Sequence, residues 1–266
     1  MTLLQKAADF FAGGFDFIGR TFARHGTFAF LDARQEELGG VERMDLAAAI
    51  YACAAIKSDF TFVQIGAYDG KSGDPLGECI RKLGLRGVLV EPQQAAFDAL
   101  RAHYADQPQL AFERAVIAAE DGSARFYRAD PDFWRQHIKL GGSGGEVASL
   151  DPGHVRRHVA QFGGERLASR EEAYLRWDDL PALTLGTLQA KHGIGAPDLI
   201  QIDAEGFDYE ILKMIDWSQR PALIHYETLH LAVPERIAAW QLLRDKSYKL
   251  YETDSYNTLA IRVPIV

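Results

Sequence analysis

Four short stretches of this chain are apolar almost without interruption: FTFVQI (60–65), GVLVE (87–91), DLIQID (198–203) and ALIHYE (222–227). A strand with one wet face alternates apolar and polar residues, whereas a strand covered on both faces does not. The first run stops at Gly66, and the others end on Glu91, Asp203 and Glu227. Helix signals fall between the runs. Asp74 reads as an N-cap with Pro75 in the first turn, Leu76, Ile80 and Leu83 on one face, and Gly84 as the stop. A second helix reads from Pro92 through Phe97, Leu100 and Tyr104, and another from Pro234 through Ile237, Trp240 and Leu243. This alternation predicts an α/β fold with a central, mostly parallel sheet and helices on both faces. The tail YKLYETDSYNTLAIRV alternates strongly enough to form an antiparallel hairpin at a sheet edge.

Two regions stand outside the alternation. Residues 1–59 read as an N-terminal helical extension, from LLQKAADFF and ERMDLAAAIYACAAIK, which would serve as a lid, a cap or the surface of a homo-oligomer. The remainder, 60–266, is expected to be one domain carrying a glycine-rich, lid-like insertion at 130–178, longer than an ordinary connection.

A formal net charge of −8 argues against a primary role on nucleic acid, which needs a concentrated Lys/Arg surface. The longest apolar run, Leu46 to Ile56, has 11 residues, well short of the roughly 18 that suggest a membrane span. Cys53 and Cys79 both lie in apolar, helix-like stretches and suggest neither a disulfide framework nor a thiolate metal site. With Asp9 and Asp16 near the N-terminus and no basic segment before a long apolar one, the expected compartment is the cytoplasm.

Open parallel sheets bind ligands beyond the C-terminal ends of their strands. At the first such end, FVQIGAYDGKSGDPLG (62–77), Gly66 and Gly70 can let a ligand approach the backbone. The spacing is G-x-x-x-G with Tyr68 inside it, which departs from the dinucleotide fingerprint G-x-G-x-x-G and weakens a dinucleotide-dependent oxidoreductase reading. Glu91, ending the second strand, stands where a carboxylate can accept both hydroxyls of a ribose. Singly, a glycine pair is a tight turn and a strand-end acid is solvated; together they suggest a nucleoside site.

The successive segments FVQIGAYDGKSGDPL, GVLVEPQ, ERAVIAAEDGSARFY and PDLIQIDAEGFDYEILK resemble those of FkbM-family methyltransferases over about residues 60–262. The resemblance implies a Rossmann-like class I fold with a seven-stranded sheet and S-adenosylmethionine as cofactor. It implies that Gly66, Asp69 and Gly70 cradle the methionine part, Glu91 holds the ribose, and Ala115 and Val116 border the adenine. GGSGGEVASL is similar to a further family segment and offers Ser143 and Ser149 near the cofactor. Leu185-Gly186 and Gln201 stand where the family commonly has Leu-Asp and lysine. The implied reaction is methyl transfer to a hydroxyl of a small molecule or glycan, with a nitrogen acceptor and a non-catalytic scaffold as alternatives.

Asp203 is the expected base. Glu205 either binds substrate or complements the dipole of the helix after it. Glu227 would orient the acceptor, and His230 is the alternative base. Asp203, Glu205 and Glu227 also form a set of hard oxygen ligands for Mg²⁺, the weaker reading since neighbouring carboxylates are more often solvated or paired. His225 reads as a structural strand histidine. HVRRHV supplies Arg156 and Arg157 for an acidic group on the acceptor, flanked by His154 and His158.

Overall fold

The computed structural model describes residues 42–130, 133, 147–163 and 171–262. Five parallel strands lie side by side: β4 (Leu110–Glu113), β3 (Arg86–Val90), β2 (Thr61–Ile65), β9 (Leu199–Ile202) and β10 (Leu223–Glu227). The C-terminal hairpin completes the row, β12 (Asn257–Arg262) running antiparallel to β10 and β11 (Tyr248–Glu252) antiparallel to β12. The sheet has eight strands where seven were expected, the additional one being β1 (Glu42–Arg43) beside β11. Strand order reverses between β2 and β9, the switch point where such sheets open a crevice.

The uninterrupted apolar runs are explained by the two layers of helix. Val63, Ile65, Val88, Val90, Ile200 and Ile224 face α6 (Leu185–His192), α7 (Asp208–Met214) and α8 (Val233–Asp245) through Leu188, Leu212 and Trp240. Phe62, Leu89, Leu199 and Leu223 face the other way, against α1 (Leu46–Ile56), α2 (Gly77–Leu83) and α3 (Gln94–His103) through Ile50, Ile80 and Leu100. Each such side chain contributes about 1.5–3 kcal/mol by leaving water. Gly84 ends α2 with φ +64°, as the sequence suggests, but the start of that helix differs. The helix begins at Gly77, because the Asp74 carboxylate is occupied by the Leu76 N–H at 2.9 Å, the Gln64 side chain at 3.0 Å and the Tyr104 hydroxyl.

The boundary expected at residue 59 does not separate two packed bodies among the described residues. Asp45 caps α1 by accepting from the Ala48 N–H at 2.8 Å, and Ile50 of that helix is buried in the same core as Phe62. Residues 1–41 lie outside the described residues, as do Ser143 and most of the glycine-rich stretch.

The region expected as an insertion hangs on a second sheet that periodicity did not disclose. Its order is β5 (Val116–Ile117), β8 (Leu175–Leu183), β6 (Gly122–Ala129) and β7 (Ala148–Ser149). Between β7 and β8 lie α4 (Pro152–Gly163) and the single turn α5 (Glu171–Tyr174). Val155 and Val159 of α4 are buried against Phe133 and Leu175. No helix among the described residues is long and apolar enough to cross a membrane.

Candidate functional site

A cavity of about 560 Å³ opens beyond the C-terminal ends of β2, β3, β9 and β10. At its β2/β3 end Gly66 takes φ +78°, and a Cβ there would sit 1.8 Å from the Asp203 carbonyl oxygen. Only glycine lets these two strand ends meet. Tyr68 is also left-handed, with φ +47°, and its N–H donates to Glu91 Oε2 at 2.9 Å while the Gln93 N–H donates to Oε1 at 2.8 Å. Glu91 is 3% exposed, and burial pushes its carboxyl up to about 7 in spite of these two donors. Ala115, Val116, Ile117 and Phe126 supply an apolar wall beside it.

The β9/β10 end has the opposite character. Asp203, Glu205, Glu227 and His230 all line it. Asp208 lies fully buried behind them, accepting from the Ala204 N–H at 3.4 Å and the Glu227 N–H at 3.3 Å. Burial first, then the neighbouring Asp203, pushes the Asp208 carboxyl up to about 8. Glu227 is raised for the same two reasons, burial and then the carboxylates of Asp203, Asp208 and Glu205. Both carboxyls are thereby biased toward the protonated, neutral form. Glu205 is left-handed, φ +51°, and its Oε2 lies 3.2 Å from His154 Nε2 and 3.4 Å from His230 Nε2. The first approach is not aligned as a hydrogen bond, so the buried His154 Nε2 has no hydrogen-bond partner.

The two histidines of α4 reach this end because Asp151 fixes the start of the helix. Its carboxylate accepts from the Gly153 N–H at 2.8 Å and the His154 N–H at 3.0 Å. One helical turn then places His154 and His158 on one face, ring centroids 4.2 Å apart, with His230 at 4.8 and 4.9 Å from them. Burial holds His154 at about 3 and His230 at about 4, below the usual imidazole value.

Several expected site residues face elsewhere. Asp69 turns back on its own loop, accepting from the Lys71 and Ser72 N–H groups at 2.9 and 2.7 Å. Gly70 serves packing, since a Cβ there would meet Leu100 and Tyr104 at 2.7 Å. Ser149 accepts from the Asp151 N–H at 3.1 Å. Arg156 and Arg157 are exposed and paired with Glu172 and Asp151. None of these five lines the cavity. His225 is buried on β10 with Nε2 3.1 Å from Thr253 Oγ1, a structural position. Asp208 and the joining of His154 and His158 to His230 were missed. An acid in a first turn looks like dipole complementation, and a contact across more than 70 residues leaves no local pattern.

Residues 64–250 match the family described as the methyltransferase FkbM domain. The chain belongs to that family. Its Rossmann-like architecture is the one the resemblance implies. No curated protein matches it. Among solved structures it is similar to methyltransferase FkbM from Methylobacillus flagellatus, with 12% identity, TM-score 0.45, and coverage of 88% of this chain and 58% of that one. The chain thus spans little more than half of that relative's length. A methyltransferase from Geobacter sulfurreducens is 11% identical with TM-score 0.38, covering 97% of this chain and 96% of that one. An O-methyltransferase from Bacillus cereus in complex with SAH is 11% identical with TM-score 0.38, covering 98% of each chain. Likenesses this distant carry nothing about the acceptor.

Proposed function

We propose that this methyltransferase uses S-adenosylmethionine to methylate a hydroxyl of a small molecule or sugar. One observation carries the reading: Asp74, Glu91, Asp203, Glu205 and Glu227 line the cavity, and no lysine or arginine is among the described lining residues. A lining that holds acids and no basic side chain suits a donor whose sulfur is cationic and offers no cation to the doubly charged pyrophosphate of a dinucleotide. In this reading Glu91 receives the ribose hydroxyls, the Gly66 turn admits the methionine part, and Ala115 and Val116 flank the adenine. Asp69, Gly70, Arg156 and Arg157 take no part.

Holding the acceptor in line with the methyl carbon supplies much of the acceleration. Bound there, the cofactor would supply a sulfonium methyl group for transfer to the acceptor oxygen, the C–S electron pair staying on sulfur. Asp203 takes the hydroxyl proton, a contribution of about 10²–10⁴-fold. Protonated Glu227 orients the acceptor by donating to it.

Calorimetry on the full chain tests the cofactor. Binding of S-adenosylmethionine and its demethylated product is expected, with none for NAD; tight NAD binding without adenosylmethionine binding overturns the reading. Profiling hydroxylated metabolites with isotopically labelled methyl donor then identifies the acceptor.

A further inference from the structure

We propose that His154, His158, His230 and Glu205 bind one divalent transition-metal ion of the Zn²⁺ type at the β9/β10 end of the cavity. The donor spacing fits such an ion. Ligands about 2.0–2.1 Å from a tetrahedral centre lie about 3.3 Å from one another, and Glu205 Oε2 is 3.2 Å from His154 Nε2 and 3.4 Å from His230 Nε2. One ligand atom from each of the three histidines falls within a 4.8 Å span.

The tautomer of His158 is set for the same task. Its Nδ1 lies 3.0 Å from the His154 carbonyl oxygen, which can only accept, so Nδ1 carries the proton and Nε2 keeps the lone pair. His154 supplies the independent observation. It is 1% exposed, its Nε2 has no hydrogen-bond partner, and that atom is aimed at the cluster. A buried polar atom without a hydrogen bond is costly, and a bound ion would remove that cost. Room for this ring comes from Gly206, where a Cβ would approach His154 Nδ1 to 3.0 Å.

The ligand set differs in kind from the all-oxygen set Asp203, Glu205 and Glu227 read from the sequence. Three imidazoles favour zinc, cobalt, nickel or iron over magnesium, which prefers oxygen ligands. His158, Glu205 and His230 line the cavity while His154 stands behind them, so the ion has one side toward the acceptor. Glu227 Oε2, 3.9 Å from His230 Nε2, borders that open side. The ion's role rests on the methyl-transfer reading: expanding from four to five ligands, it would bind the acceptor oxygen and lower its pKa, leaving Asp203 to take the proton. Binding itself does not depend on that reading.

The full chain, stripped with chelator, is titrated with Zn²⁺ by calorimetry and with Co²⁺ by visible absorbance. One equivalent of each is expected, with d–d bands for Co²⁺ and no competition from Mg²⁺. His154→Gln and His230→Asn are each expected to weaken Zn²⁺ binding by at least about 100-fold and to abolish the rise in Tm that Zn²⁺ gives the parent chain. Cooperative melting of each variant without metal shows that it is folded. Absence of Zn²⁺ binding to the parent chain, or affinity unchanged in both folded variants, overturns the proposal. Adenosylmethionine binding, measured on the same samples, separates the two readings. Zn²⁺ binding without it keeps the metal site and removes the methyl-transfer role, whereas adenosylmethionine binding without Zn²⁺ does the reverse.

Discussion

The two ends of the cavity hold their acids in different ways. At the β2/β3 end one carboxyl, Glu91, receives two backbone N–H groups that a left-handed Tyr68 and the following loop aim at it. At the β9/β10 end Asp203, Glu205 and Glu227 face one another and three imidazoles, and buried atoms such as Glu227 Oε2 and His154 Nε2 have no hydrogen-bond partner. A satisfied carboxyl fixes a ligand; crowded groups with unsatisfied atoms are poised to exchange protons or take up an ion. Under the proposed function, binding and chemistry fall to separate strand ends.

The severest test joins the two ends. Gly66→Ala, with its positive φ and a backbone oxygen 1.8 Å from the new Cβ, is expected to cost about 4 kcal/mol or more in urea melts and to impair both binding and turnover. A smaller loss confined to one end would mean that the ends are not mechanically joined. Next comes a pH effect at the β2/β3 end alone. Glu91 is raised from 4.5 to about 7, so the folded chain binds this proton more tightly than the unfolded one. Its stabilisation is complete below pH 4.5 and lost as pH rises through 7, a fall of about 3 kcal/mol in the ligand-free chain. Melts across that window should show Glu91→Gln lacking this component.

Catalysis and affinity should then separate by position. Asp203→Asn is expected to slow single-turnover methyl transfer by about 10²-fold while leaving adenosylmethionine affinity nearly unchanged. Wild-type rates in that variant would pass the role of base to another group. Glu91→Ala should do the converse, weakening adenosylmethionine binding by about 2 kcal/mol in calorimetry. The smallest effect belongs outside both ends: Arg156→Ala and Arg157→Ala remove exposed pairs and should change stability and affinity by less than about 0.5 kcal/mol.

What the sequence discloses follows the same division. Strands buried on both faces print themselves as unbroken apolar runs, so β2, β3, β9 and β10 were legible, with the glycine that ends the first and the acids that end the other three. The hairpin of β11 and β12 was legible from alternation. β8 was not, because LRWDDLPAL carries Asp178, Asp179 and Pro181 on a strand largely exposed to water. The G-x-x-x-G turn was correctly placed, yet the letters do not say which glycine meets the cavity; Gly66 does, and Gly70 meets α3. The histidine cluster was invisible for a different reason, since His154 and His158 reach His230 only when α4, packed on β6, β7 and β8, brings them to the loops that follow β9 and β10.

The two-residue strand β1 bears on how the molecule meets others of its kind. A terminal strand with open backbone groups invites another strand to join it, and short coverings with charged side chains discourage this. Here Glu42 and Arg43 lie against Tyr251 and Glu252, the Met44 N–H donates to the Glu252 carbonyl at 2.9 Å, and Lys249 pairs with Glu42 at 3.0 Å. Part of the outer rim of β11 is thus already engaged by its own chain. A second copy seeking to extend the sheet there would first have to displace a charged, hydrogen-bonded strip, so self-association by edge-to-edge growth is opposed at the end of the sheet nearest the C-terminal hairpin.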